Sequence, residues 1–298
     1  MTDITLLDGS IGQEIVKRSG DRATPLWSTS VMIEKPDIVG AIHLDYFKVG
    51  ATIATTNSYA VHRDRLARYD MEERFAELLE QALTQAESAR STHGGGRIAA
   101  SLGPLGASYR PDICPPPDEA KLAYAEQVSL LDDRVDLFLI ETAASVDQAH
   151  GALLGCADAT KPVWLAVTVM DEDGSKLRSG ESLQALAPII DQFQPQAVLI
   201  NCSRPEVVGQ GLEIVKTFGK PIGAYANGFT QISEGFLKDA PTVDALEQRL
   251  DLGPDAYAEQ AMGWVAQGAT IVGGCCEVGP DHIAELARRL QAGGHSIV

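Results

Sequence analysis

Eight times along the chain a short β-branched or Leu-rich run gives way to a longer amphipathic stretch, and this alternation limits the fold more than any other feature. Strands are expected at 4–7, 51–55, 97–101, 136–140, 163–167, 197–200, 221–225 and 270–273. Most are apolar on consecutive residues, as parallel strands covered on both faces are. Helical periodicity lies between them, near 37–49, 72–92, 118–132, 146–157, 183–192, 206–218, 256–267 and 281–291. Strand and helix repeated eight times point to an α/β architecture closed as a single (βα)8 TIM barrel. An open doubly wound sheet is the alternative, but the Gly-x-Gly-x-x-Gly turn it would carry after its first strand is absent.

The 298 residues fit one such barrel, and the reading takes 1–298 as a single domain. Apolar residues form 45% of the chain, enough for a large core. The segments that follow strands are long at 12–35, 103–117, 170–182 and 227–255, whereas helix-to-strand connections such as 161–162 and 219–220 are tight. Barrel enzymes place their chemistry on the former.

A formal charge of −17 without any Lys/Arg cluster repels phosphate backbones and anionic lipid, so neither nucleic acid nor membrane is an expected partner. No apolar run is long enough to span a bilayer and the first residues are not an export signal, which makes a cytoplasmic location the expectation. Five cysteines cannot all pair within one chain, and reduced thiols are expected.

Three of those cysteines stand at strand ends. Cys202 follows Val198-Leu199-Ile200-Asn201, and Cys275-Cys276 follow Ile271-Val272-Gly273-Gly274, two ends that share one rim of a barrel. Successive residues on a regular strand face opposite ways, so adjacent cysteines can meet one ion only where the strand breaks. Gly273-Gly274 is expected to supply the break through the dihedral freedom of glycine. Three thiolates on one rim suit zinc, whose catalytic sites keep a fourth position open. The plainer alternatives are small buried hydrophobes, or a vicinal Cys275–Cys276 disulfide. Cys114 and Cys156 lie away from strand ends and are left out of the site.

Asp8 and Glu141 end strands one and four, and a carboxylate pair in the barrel mouth could bind an ammonium group or act as acid and base. A helix cap for Asp8 and a solvated loop for Glu141 are the alternatives. Thr56-Asn57-Ser58-Tyr59 could offer hydroxyl and amide groups to a substrate carboxylate, and Trp27 could cover a methyl-bearing cation with its ring or simply pack as a lid. His43 and His62 read as helix and loop histidines.

Together these residues resemble the homocysteine S-methyltransferase family. The likeness runs through Leu7-Asp8-Gly9, Pro25-Leu26-Trp27-Ser28, Gly50-Ala51, Thr56-Asn57-Ser58-Tyr59, Ser101-Leu102-Gly103-Pro104-Leu105-Gly106, Ile140-Glu141-Thr142, Asn201-Cys202 and Gly268-Ala269 to Gly273-Gly274-Cys275-Cys276. The last two motifs are the most specific. The resemblance implies a zinc-dependent methyltransferase of methionine biosynthesis, with Zn2+ on Cys202, Cys275 and Cys276 and small-molecule substrates, homocysteine and a methyl donor. It further implies that Asp8 and Glu141 hold the acceptor's amino group, that Gly9 and Thr56 approach its carboxylate, and that Trp27 borders the donor. An acceptor thiol entering the open position would lose its proton and attack a methyl group on sulfonium or ammonium in line. The homocysteine-binding component of a cobalamin-dependent system and a catalytically retired zinc- or thiol-binding barrel are the competing readings. Two departures from the family pattern stand out: Ser10, and Tyr225-Ala226-Asn227-Gly228 in place of Tyr-Pro-Asn. The second puts the donor in question more than the acceptor.

Overall fold

Strand periodicity alone separates inner from outer core. The computed structural model describes residues 2–20, 28–233, 235, 237 and 246–298. Its strands β1 (Asp3–Leu6), β2 (Ile53–Thr55), β3 (Arg97–Leu102), β4 (Leu137–Ala143), β5 (Val163–Val167), β6 (Ala197–Asn201), β7 (Ile222–Tyr225) and β8 (Ile271–Val272) all pair in parallel. β8 pairs with β1, and a parallel bridge between Leu7 and Ile53, with the Thr52 amide donating to the Leu6 carbonyl at 2.7 Å, joins β1 to β2 and closes the barrel. A ninth short strand, β9 (Ser296–Ile297), pairs with the start of β1.

Alternate residues of each strand face opposite sides. Leu137 and Leu139 of β4, and Ala197 and Leu199 of β6, fill the barrel interior, while Phe138, Ile140, Val198 and Ile200 pack outward under the helices. Both sets are buried, which is why these strands read as unbroken apolar runs. Full burial of a Leu or Phe side chain is worth roughly 1.5–3 kcal/mol. The helices that cover the barrel turn matching stripes inward: α5 (Phe75–His93) buries Phe75, Leu78, Leu79, Ala82, Leu83, Ala86 and Ala89, the 3.6-residue spacing of an amphipathic helix.

The other covering helices are α3 (Pro36–Lys48), α6 (Pro117–Leu131), α7 (Val146–Gly155), α8 (Ala187–Phe193), α9 (Pro205–Val215), α10 (Pro254–Ala266) and α11 (Pro280–Ala292). All eight expected strands and all eight expected helical regions are present within a few residues. The 12–35 segment is more ordered than a long loop: it holds α1 (Ile11–Ser19) and α2 (Ser28–Glu34). The Ser10 side chain caps α1 by accepting from the Gln13 amide, Ile15 buries the inner face, and Gly20 ends the helix at φ 68°. The short α4 (Arg63–Ala67) was likewise not foreseen. Trp27 and parts of the 12–35 and 227–255 segments lie outside the described residues.

Candidate active site

The inward parity of the strands continues past the apolar core into polar residues at their C-terminal ends. On β4 the inward series 137, 139 arrives at Glu141, on β6 the series 197, 199 arrives at Asn201, and Thr55 and Tyr225 end β2 and β7 while Ser101 continues the inward parity of Ala99 near the end of β3. Of these, Thr55, Ser101, Glu141 and Tyr225 line a cleft whose walls also include Asp8, Gly9, Thr56, Cys202, Cys275 and Cys276.

Both carboxylates are buried. Asp8 accepts from the Thr55 amide at 2.6 Å and from the Thr55 hydroxyl at 2.8 Å. Glu141 accepts from the Ser101 hydroxyl and, at 3.0 Å, from the Tyr225 phenol. Burial pushes the Asp8 carboxyl up to about 8, against the lowering effect of Thr55, and the charge of Glu141 raises it further. Burial raises Glu141 as well, with Ser101 and Tyr225 opposing. Neither is an incidental surface acid: Ser10 caps the adjacent helix, and Glu141 lies within β4. Among the described residues no cationic side chain bonds to either carboxyl, and two such buried groups make a pocket suited to a small cation.

The three rim cysteines meet. Their sulfurs all lie within 4.8 Å of one another, with Cys202–Cys276 at 3.9 Å and Cys275–Cys276 at 4.0 Å. Cys202 sits at φ 45°, held there by its amide on the Tyr225 carbonyl (3.2 Å) and by its own carbonyl, which accepts from the Thr168 hydroxyl at 3.1 Å and the Tyr109 phenol at 3.4 Å. Cys275 is anchored by its amide on the Ala226 carbonyl at 2.9 Å.

Two sequence expectations change here. Cys202 and Cys275 are joined as a disulfide with Cα atoms 5.7 Å apart, whereas the sequence reading takes reduced thiols as the default and, on oxidation, a Cys275–Cys276 or a Cys202-containing disulfide. Two strand ends on one rim bring these sulfurs together across 73 residues, a proximity that spacing does not reveal. The Gly273-Gly274 pivot also works differently: neither glycine has a positive φ. Each is required because a Cβ would collide, at Gly273 with Leu7 and the Asp8 carbonyl, at Gly274 with Val278.

Cys276 is free, and burial pushes its thiol up to about 12, so without a bound cation it stays protonated at neutral pH. Cys114 and Cys156 lie outside the cluster, their thiols raised by burial to about 11 and about 12. Gly9 and Thr56 both line the cleft. The Thr56 amide, however, is spent on the Ala99 carbonyl at 2.9 Å, and its hydroxyl accepts from the Ser101 amide at 3.1 Å. His43 is buried on α3 and His62 precedes α4, both kept neutral by burial. Ser101, Asn201 and Tyr225 carry no role of their own in the sequence reading, where they appear only within motifs, and Tyr109 does not appear there. Counting inward parity one step beyond each strand's apolar run would have found all but Tyr109.

The cleft lining is also aromatic, with Tyr59, Tyr109 and Phe229. The Arg178 guanidinium lies 5.1 Å from the Tyr109 ring centre and pairs with Asp171, whose second oxygen accepts from the Ile232 amide at 2.9 Å. That group of contacts ties three rim loops together. Among the described residues no helix is long and apolar enough to cross a membrane.

The homocysteine S-methyltransferase family model matches residues 5–290. Homocysteine S-methyltransferase of Escherichia coli is 29% identical over 96% of this chain and 95% of its own length. Selenocysteine methyltransferase of Astragalus bisulcatus is 27% identical over 97% and 93%. The crystal structure of the homocysteine methyltransferase MmuM from Escherichia coli in its metallated form superposes with a TM-score of 0.81 at 26% identity, covering 97% of this chain and 96% of that one.

Proposed function

The chain belongs to the homocysteine S-methyltransferase family, and on that premise we propose that it transfers a methyl group from a sulfonium or ammonium donor to the thiol of homocysteine, with zinc held by Cys202, Cys275 and Cys276. The observation that carries this reading is the presence, in one cleft, of three clustered sulfurs beside two buried carboxyls. The sulfurs suit the ion. A tetrahedral zinc with bonds of about 2.3 Å spaces its sulfurs about 3.8 Å apart, close to the 3.9 and 4.0 Å from Cys276 to its two neighbours. Reduction of the Cys202–Cys275 bond releases the remaining two thiols for this role.

Bound there, zinc would supply the Lewis acidity that lets an acceptor thiol act as a thiolate at neutral pH. The chain's own groups account for the rest. Glu141, fixed by Ser101 and Tyr225, and Asp8, fixed by Thr55, would receive the acceptor's ammonium group and so set the direction in which its sulfur points. Gly9 and Thr56, both in the cleft wall, would approach the acceptor's carboxylate. The aromatic lining of Tyr59, Tyr109 and Phe229 would give a cationic donor a favourable contact, as aromatic rings do for methylated sulfonium or ammonium. Trp27 would join this donor side. An apolar wall also keeps water from the transferring methyl group.

Reduced, zinc-loaded protein incubated with homocysteine and each candidate donor in turn, with products identified by mass, tests the reading. Methionine formed with at least one sulfonium or ammonium donor supports it. No methylated thiol with any donor of either class contradicts it. The relative named selenocysteine methyltransferase makes the corresponding selenol a second acceptor for the same assay.

A further inference from the structure

Thr142 has a φ of 59°, a left-handed conformation that β-branched residues avoid, at a point where the β4–β5 register shifts between Ile140 and Ala143. In a regular parallel strand the Thr142 amide would bond to β5. Here it donates to Asn201 Oδ1 at 3.0 Å, and Asn201 Nδ2 donates to the Thr142 hydroxyl at 3.0 Å. The Asn201 side chain thus reaches from β6 past β5 and meets the amide and the hydroxyl of the displaced residue. Thr142 and Asn201 are both fully buried, so neither group could turn to water if the other were lost.

From this geometry we infer that Asn201 is a positioning residue for the methyl transfer: it holds the β4 bulge in the shape that aims Glu141 into the cleft. Glu141 is bonded directly to Thr142, and its carboxylate must meet Ser101 on one side and Tyr225 on the other. Rotation of the Thr142 backbone out of the left-handed region would swing that carboxylate off both partners. Asn201 is also joined to Cys202, whose φ of 45° continues the turn. One amide therefore fixes the acceptor's ammonium pocket relative to the sulfur cluster. The inference rests on the proposed role of Glu141 in holding the acceptor's amino group.

The test is a double-mutant cycle read as homocysteine KM, kcat and zinc content. Asn201→Ala is expected to raise KM about tenfold or more, the scale of losing a well-placed charged hydrogen bond, with about one zinc per chain retained. In a Glu141→Ala background the same change should add less than about twofold, because the group it positions is gone. A KM equal to the parent's, full multiplication of the two effects, or loss of zinc from Asn201→Ala would each overturn the inference. Glu141→Ala that binds homocysteine like the parent would instead remove the reading beneath it. Should Asn201→Ala fail to fold, the comparison moves to Thr142→Val, which keeps the strained backbone but loses the hydroxyl, and Thr142→Gly, which tolerates the positive φ. Val is expected to raise KM more than Gly does, and the reverse order overturns the inference.

Discussion

The sulfurs of Cys202 and Cys276 lie 3.9 Å apart although 74 residues separate them in the chain. Nothing in local structure requires this; it follows from β6 and β8 ending on the same rim, with Gly273 and Gly274 letting the chain pass close against Leu7 and Val278. Fresh protein purified with reductant is expected to carry about one zinc per chain. Mild oxidation should lower that content, because Cys202 and Cys275 are placed to bond to each other and disulfide sulfurs no longer serve as thiolate ligands. Metal analysis before and after oxidation checks both, and a zinc content indifferent to oxidation would remove the cluster from the metal site.

Glu141→Ala should weaken homocysteine binding by about 10- to 100-fold, the scale of losing a charged hydrogen bond, while leaving zinc in place. Glu141 bonds to Ser101 and Tyr225 and to no cysteine. Calorimetric titration of the zinc-loaded variant measures the affinity directly. A loss confined to kcat would point to acid–base work instead of ammonium binding.

The barrel was legible because both faces of each strand are buried, which writes eight apolar runs into the sequence for any reader of periodicity. The clustering of Cys202, Cys275 and Cys276 was legible because cysteine is scarce and three of five stand at strand ends. What stayed hidden depends on pairing in space. α1 is only nine residues long, resting on one capping serine and an inner face at Glu14 and Ile15, inside a segment read as a loop. The supports of Glu141 come from β3 and β7, and the Thr142–Asn201 clamp skips a strand altogether. The disulfide partner of Cys202 could not be chosen from spacing, since Cys275 and Cys276 are adjacent and only the fold distinguishes them.

Asp8 gives the ligand-free protein a pH dependence with a definite sign. Its folded-state value is raised from 3.8 to about 8, so the unfolded chain loses this proton first as pH rises. The contribution to stability is complete below 3.8 and is lost progressively up to about 8. Asp8→Asn should abolish that loss and gain on the parent across the window, by on the order of a few kcal/mol. Denaturant midpoints of metal-free protein at several pH values provide the comparison. An ammonium ligand favours the ionised carboxyl, so homocysteine affinity should rise with pH toward about 8 in the parent, and less steeply in Asp8→Asn.

The dependence of methyl transfer on the cysteine-held metal is tested most directly by measuring methionine formation in one preparation carried through four states: reduced and zinc-loaded, chelated, chelated with zinc restored, and a folded Cys276→Ser variant treated as the first. Serine nearly matches cysteine in shape but is a weak zinc ligand at neutral pH, and Cys276 sits on the rim outside the packed interior, so the variant should keep its fold. The expected result is turnover in the first and third states and none above background in the second and fourth. Turnover that survives chelation, or a Cys276→Ser protein that forms methionine at the parent rate, would contradict the account.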